Sequence, residues 1–157
     1  MQCSAHPAGP ASARRGRVLI VEDDPEAALF AAYALERRGR FSVTHTADPM
    51  VALALAAAEH WDLALTDLDL PVISGTELIA ALRAIAPGLP VLLLTAHPRD
   101  EFSASDLSGP AASRPDGLLV KPVSADQLLF AAETLALPHP HLPAIADAPA
   151  EDTPAGP

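Results

Sequence analysis

Short runs of apolar residues recur along the middle of the chain, separated by longer segments with helix-starting residues. Five runs are candidate strands, at residues 17–21, 41–47, 62–67, 90–95 and 117–120. Most of them are too uniformly apolar to alternate between a buried and an exposed face, which is typical of strands covered on both sides. The pattern predicts an α/β fold, a five-stranded parallel sheet with helices on both faces.

Four pairs of residues between these runs have the types and spacing of helix N-termini. Two combine an aspartate N-cap with proline at the first helical position, and two have the spacing of a capping box. The pairs are Asp24 with Pro25, Asp48 with Pro49, Ser74 with Glu77 and Ser124 with Gln127. They predict four helices, of which the first ends near Arg38, the third near Ile85 and the last near Leu137, with Gly39 as the stop signal of the first. Pro110 and Pro115 argue against a long helix before the fifth strand, so an irregular region is expected there.

Both ends of the sequence lack apolar periodicity. Residues 1–16 are small and aperiodic, and residues 138–157 are rich in Pro and Ala. We expect both to be disordered, because neither can bury enough apolar surface to offset the entropy of ordering. The predicted domain is therefore residues 17–137, with no second folded domain after it.

Charge and composition exclude several classes of partner. The formal net charge is −10, which argues against binding nucleic acid, since phosphate contacts need clustered Lys and Arg. No run approaches the roughly 20 apolar residues of a membrane span, and no signal peptide is recognisable. Cys3 is the one cysteine, so no disulfide can form within the chain. A cytoplasmic protein without membrane contact is expected.

Polar residues follow or end four of the predicted strands. Glu22 and Asp23 follow the first, Asp67 ends the third, Thr95 ends the fourth and Lys121 follows the fifth. In open parallel sheets, sites form at the carboxyl ends of strands, near the switch in strand order. With the order 2-1-3-4-5, the first and third strands are neighbours. The three acids are then expected to lie close together.

Three carboxylates in close proximity repel one another unless a cation joins them. Hard oxygen ligands suit Mg²⁺, which keeps several waters and takes one or two carboxylates together with a phosphate. Lys121 adds a second positive charge and Thr95 a hydroxyl. This set predicts a phosphoryl site in which Asp67 acts as nucleophile and forms an aspartyl phosphate.

Four motifs, VLIVEDD, LTDLDLPVISG, VLLLTA and VKP, together resemble the receiver domain of response regulators, the CheY-like family. CheY, which gives this family its name, has the flavodoxin-like strand order 2-1-3-4-5. The resemblance covers residues 17–137. It implies a domain of two-component or phosphorelay signalling in which Asp67 is phosphorylated and Thr95 and Lys121 bind phosphoryl oxygens.

The resemblance also implies a set of metal ligands and a backbone feature. Asp23 and Asp67 would bind Mg²⁺ directly, Asp69 through its backbone carbonyl, and Glu22 largely through water. The Lys121–Pro122 peptide bond would be cis, a form that is rare without a structural reason.

Three further positions bear on signalling. Asp69 and His97 would flank the path of the water that hydrolyses the phosphoryl group, so we predict a lifetime that depends on pH between about 6 and 8 through His97. Leu118 stands three residues before the lysine, where receivers usually carry an aromatic residue or histidine. The usual switch, which rotates that ring, is therefore in question here.

The expected function is that of a stand-alone receiver, which is not a turnover enzyme and loses its phosphoryl group slowly. The phosphodonor would be a histidine kinase or a histidine phosphotransfer protein, and the signal would pass to an unknown output protein. A monomer or weak dimer is expected. Two alternatives stay open: a degenerate receiver that serves only as an interaction module, and a phosphatase of the haloacid-dehalogenase type, suggested by DLDL at residues 67–70.

Overall fold

Five parallel strands form one sheet in the computed structural model, which describes residues 16–97 and 109–136. The strands are β1 (Arg17–Val21), β2 (Ser42–Thr46), β3 (Leu63–Asp67), β4 (Val91–Thr95) and β5 (Gly117–Val120). Their order is β2-β1-β3-β4-β5. The predicted fold class and strand order are confirmed.

The helices begin where the capping residues predicted. They are α1 (Pro25–Tyr33), α2 (Pro49–Ala58), α3 (Gly75–Ile85) and α4 (Ala125–Ala136). Asp24 and Asp48 each accept a backbone N–H two residues ahead, at 2.9 Å and 2.8 Å. Ser74 and Glu77 form a complete capping box, and the Ser124 and Gln127 pair makes the same two bonds. These caps satisfy N–H groups that the first helical turn leaves without partners.

The first helix ends at Arg38 with Gly39 as its C-cap, as predicted, but the conformation of its last part was not predicted. The chain continues from α1 through a π-helical segment, Ala34–Arg38, and the residue with positive φ is Arg40 (61°) rather than Gly39 (−90°). Gly39 is required for space instead, because a Cβ atom there would lie 2.7 Å from Leu129 Cδ2 and 2.8 Å from the Leu35 carbonyl oxygen. Close packing, not a left-handed turn, explains this glycine.

The sheet separates two apolar clusters. One lies under α1 and α4 and includes Ile20, Leu35 and Leu128. The other lies under α2 and α3 and includes Leu19, Leu78 and Leu93. Every residue of β3 and β4 is buried, including the polar Thr66, Asp67 and Thr95. Two-sided burial explains why these strands are apolar throughout, and it makes their polar ends conspicuous.

Several predictions concern residues outside the described parts of the chain. These are the two expected disordered tails, apart from Gly16, whose carbonyl accepts a hydrogen bond from the Ser42 N–H at 2.9 Å. Most of the expected irregular region also lies outside, although a 3₁₀ turn at Ala111–Ser113 is described. Within residues 16–97 and 109–136, no helix has the length and apolarity needed to cross a bilayer.

Candidate functional site

Because the strands are parallel, the polar residues at their carboxyl ends lie on the same side of the fold. Val21 pairs with Thr66, and Asp67 pairs with Leu94. Thr95 pairs with Val120, and the Lys121 N–H continues this ladder by donating to the Thr95 carbonyl at 2.7 Å. The polar residues predicted at the carboxyl ends of β1, β3, β4 and β5 therefore lie near one another.

Three carboxylates meet there. Glu22, Asp23 and Asp67 each offer an oxygen atom, and these atoms all lie within 4.8 Å of one another. Glu22 and Asp67 are buried, with 3% and 7% of their surface exposed, whereas Asp23 is exposed to solvent. Asp24, the next acid, caps α1 and is not part of this group. The cluster thus has a buried floor and an open side.

Lys121 reaches two of the three acids. Its Nζ donates to Asp67 Oδ2 at 2.5 Å and to Glu22 Oε2 at 3.2 Å. These residues lie 54 and 99 positions away in sequence. One ammonium group therefore faces three carboxylates, so the site is two positive charges short of balance when all four groups are ionised.

Burial and the neighbouring charges shift two pKa values in the cluster. Burial raises the pKa of Glu22 above its ordinary 4.5 and the charge of Asp67 adds to this, while the Asp24 N–H and Lys121 oppose it. Burial alone would lower the pKa of Lys121, but its hydrogen bonds to Asp67 and Glu22 and their charges outweigh burial and raise it above 10.5. The site therefore makes Glu22 harder to ionise, and Lys121 harder to deprotonate, than the same side chains in water.

Asp69 follows Asp67 in the chain, and Thr95 and His97 lie at and just after the end of the neighbouring strand β4. The Asp69 N–H donates to Asp67 Oδ1 at 3.1 Å, and the His97 N–H donates to Thr95 Oγ1 at 3.0 Å. Thr95 is fully buried beside Asp67 on the next strand. The side chains of Asp69 and His97 approach each other, with Oδ2 and Nε2 3.3 Å apart. The structure thus joins the two loops that flank the carboxylate.

Two other singled-out positions lie on or just after β5. The Lys121–Pro122 peptide bond is cis, as the resemblance implied. Leu118 is half-buried and lines an apolar groove between β5 and α4, together with Leu119, Phe130 and Leu135. An aliphatic side chain thus occupies the position at which receivers usually carry a ring.

Sequence reasoning missed His45. This β2 residue places its Nε2 2.8 Å from the backbone carbonyl oxygen of Glu22. The strand order does put β2 beside β1, where His45 pairs with Ile20. However, a polar residue on an edge strand gives no sign in sequence that its side chain reaches the acidic loop.

The donor set fits a hard divalent cation. Carboxylate oxygens are the ligands that Mg²⁺ prefers, and the exposed side of Asp23 leaves room for the waters that Mg²⁺ retains. Such an ion would also supply the positive charge that the cluster lacks.

Comparison with known proteins gives the family. The family described as "Response regulator receiver domain" matches residues 18–133. The probable transcriptional regulatory protein SilR of Salmonella typhimurium is 35% identical over 119 residues, which are 76% of this chain and 50% of SilR. TcrX of Mycobacterium tuberculosis, also a probable transcriptional regulatory protein, is 34% identical over 113 residues, 72% of this chain and 46% of TcrX. The chain spans about half the length of these curated relatives.

Solved structures agree. The chemotaxis response regulator CheY4 of Vibrio cholerae superimposes with a TM-score of 0.67 at 26% identity, covering 76% of this chain and 97% of CheY4. The receiver domain of the sensor histidine kinase PA1611 of Pseudomonas aeruginosa has a TM-score of 0.66 at 25% identity, covering 77% of this chain and 97% of that domain. That domain holds a magnesium ion in its active-site cleft.

The chain belongs to the response regulator receiver family, the CheY-like domains of two-component signalling. Family membership sets aside the haloacid-dehalogenase alternative.

Proposed function

We propose that this domain accepts a phosphoryl group on Asp67 in a Mg²⁺-dependent reaction. The observation that carries the proposal is the position of the Asp67 carboxylate. It is buried at the end of β3, bonded to Lys121 Nζ at 2.5 Å and grouped with two further acids. A carboxylate held between a fixed cation and a second cation site is suited to nucleophilic attack on phosphorus.

The reaction transfers the phosphoryl group between two nucleophiles. An oxygen of Asp67 forms a bond to phosphorus while the bond from phosphorus to the donor breaks, and that electron pair leaves with the donor atom. The donor atom is an imidazole nitrogen in a phosphohistidine or an oxygen in acetyl phosphate. Lys121 offsets charge at the Asp67 side of the site, and the Thr95 hydroxyl lies on the adjacent strand to bond a phosphoryl oxygen.

Asp23, Asp67 and the backbone carbonyl of Asp69 are the proposed direct metal ligands, with Glu22 acting through water. When bound, Mg²⁺ would supply positive charge that neutralises the phosphoryl oxygens during in-line transfer. The residues of the chain provide its position. Glu22 and Asp67 are already fixed by Lys121 and by backbone N–H groups, so little rearrangement of these two is needed.

A histidine kinase or a histidine phosphotransfer protein is the proposed phosphodonor, and the product is an aspartyl phosphate that hydrolyses slowly without substrate turnover. Whether the chain signals by docking on an output protein or by passing the group on stays a prediction. So do its cytoplasmic location, its action as a stand-alone receiver, its monomeric or weakly dimeric state and the lack of nucleic-acid binding.

Labelling by acetyl phosphate tests the proposal. The full chain should gain one phosphoryl group by mass in the presence of Mg²⁺ and none with a chelator. Asp67→Asn should not be labelled, while the matched control Asp24→Asn, which changes the neighbouring helix cap, should be labelled normally. Beryllofluoride with Mg²⁺ should bind the native chain as a stable mimic.

Other outcomes would point elsewhere. Labelling of Asp67→Asn to the native extent would reject Asp67 as the acceptor. A native chain that takes up neither acetyl phosphate nor beryllofluoride would instead be the degenerate receiver, an interaction module whose phosphorylation chemistry is lost.

A further inference from the structure

We propose that His45 is a positioning residue that holds Asp23 in place for cation binding. The inference rests on the proposed magnesium site. It concerns a β2 side chain that lies outside the acidic cluster and acts on it through the backbone. The distance from His45 Nε2 to the Glu22 carbonyl oxygen is 2.8 Å.

The polarity of this contact follows from its acceptor. A backbone carbonyl can only accept, so Nε2 of His45 carries a hydrogen and donates it. The Glu22 carbonyl and the Asp23 N–H belong to the same planar peptide group. A bond to that carbonyl therefore restrains the rotation of the whole peptide plane that leads into Asp23.

Asp23 depends on its backbone more than the other acids do. Glu22 accepts hydrogen bonds from Lys121 Nζ and the Asp24 N–H. Asp67 accepts them from Lys121 Nζ and the Asp69 N–H. By contrast, across residues 16–97 and 109–136 the Asp23 side chain has no hydrogen-bond or ion-pair partner. With no such side-chain contact to fix it, its carboxylate is placed by the peptide planes on either side.

The rest of the loop is already tied down around that plane. The Glu22 N–H donates to the Thr46 carbonyl at 3.2 Å, and Asp24 is fixed as the cap of α1. The Glu22–Asp23 peptide lies between these two anchors, and His45 bonds its carbonyl. Loss of His45 would leave the loop folded but the Asp23 carboxylate less well ordered.

An electrostatic role for His45 predicts the opposite sign. If the imidazole influenced the site only through a positive charge, its removal would relieve repulsion and strengthen cation binding. A positioning role predicts weaker binding. Changes to residues that orient metal ligands typically cost about 10- to 100-fold in affinity, and we expect about tenfold here because Asp23 is one of several ligands.

The experiment is calorimetric titration of the full chain with MgCl₂, for native protein, His45→Leu, His45→Gln and His60→Leu. His45→Leu removes the donor and should bind Mg²⁺ about tenfold more weakly. His45→Gln keeps an N–H donor at similar reach and should bind within about twofold of native. His60→Leu is the control for loss of a surface histidine. The His60 side chain is 84% exposed and lies near the amino ends of the strands, so its loss should not change the Mg²⁺ affinity.

Thermal unfolding in a chelator separates positioning from stability. His45→Leu and His45→Gln should unfold cooperatively, so that a difference in Mg²⁺ affinity between them reports the donor and not the fold. Native-like affinity in His45→Leu, or equal weakening in both variants, would overturn the role of His45 while leaving the proposed function intact. A native chain that binds no Mg²⁺ would overturn both.

Discussion

Polar clusters lie at both the amino ends and the carboxyl ends of the strands, and the two clusters differ in burial and in charge. At the amino ends of the strands, the backbone N–H of Arg17 donates to Asp62 Oδ2 at 2.7 Å. The Arg17 guanidinium pairs with Glu59 and stacks over Trp61, 4.5 Å from the ring centroid. Asp62 also faces His60 at 3.4 Å. Arg17, Glu59 and Asp62 each have a hydrogen-bond or ion-pair partner there, both acids are partly exposed to solvent, and the group joins β1 to the segment before β3.

At the carboxyl ends of the strands, one lysine lies beside a cluster of three acids. The residue types are similar to those around Arg17, where one cation faces two partly exposed acids, but here the excess of negative charge is larger and two of the acids are buried. A cluster built for stability would not leave this excess, because each unneutralised buried carboxylate costs free energy. The difference shows that ionic contacts by themselves do not mark a site. A buried excess of charge that a ligand could neutralise does.

The largest expected effect comes from Asp23→Asn. This change should weaken Mg²⁺ binding by more than about tenfold, since it removes a proposed direct ligand. In a chelator it should also raise the free energy of unfolding, by up to about 1 kcal/mol, because it removes repulsion among the acids. Calorimetric titration and urea unfolding would measure the two effects.

Asp24→Asn is the matched control for Asp23→Asn. Asparagine caps helices about as well as aspartate, so this variant should lose about 1 kcal/mol of stability or less and keep its Mg²⁺ affinity. The reverse outcome, with Mg²⁺ binding lost in Asp24→Asn and kept in Asp23→Asn, would mean that the ligand is assigned one residue too early.

A substitution in the cluster around Arg17 should lower the free energy of unfolding, whereas Asp23→Asn in a chelator should raise it. Asp62→Ala should lower the free energy of unfolding by about 1 to 2 kcal/mol, because the Arg17 amide loses a charged acceptor. Labelling of Asp67 by acetyl phosphate should not change. Asp126→Ala gives the comparison for an exposed pair, since Asp126 is 80% exposed beside Arg38 and should cost little. A loss of labelling in Asp62→Ala would contradict a purely structural role for the cluster around Arg17.

A smaller effect is expected in the pH dependence of stability. The pKa of Glu22 is raised above 4.5, so the folded state holds this proton more tightly than the unfolded state. The stability gained is complete below 4.5 and is lost as pH rises through the raised pKa. Glu22→Gln lacks that loss. In a chelator its stability should therefore rise relative to native as the pH increases above about 4.5, as urea unfolding would show. A constant difference across that range would reject the shift.

The smallest effect concerns the lifetime of the phosphoryl group. Asp69 and His97 approach within 3.3 Å beside the carboxylate, and we expect them to hold or activate the hydrolytic water. His97→Leu should alter the decay rate of labelled protein severalfold, because it removes a polar side chain beside the path of that water. Superimposable decay curves for native and His97→Leu would remove His97 from the reaction and leave Asp67 as acceptor.

Much of the candidate site could be predicted because a parallel sheet converts strand ends into neighbours. Glu22, Asp67, Thr95 and Lys121 needed only a strand order to come together. His45 could not be found in this way, since its contact depends on how far a side chain on the edge strand reaches across the sheet. The hydrogen bonds of Lys121 to both buried acids depended likewise on its rotamer and on the path after β5.

The sequence by itself determined the local elements of this protein. Aspartate before proline and serine three residues before a glutamate or glutamine start four helices through contacts within a few residues, and five apolar runs form the sheet between them. Only the tertiary structure decided the rest: the π-helical end of the first helix, the packing reason for Gly39, the cluster around Arg17 and the contact of His45 with Glu22. These depend on groups that are distant in the chain, and packing and charge distances between such groups exist only once the elements have docked.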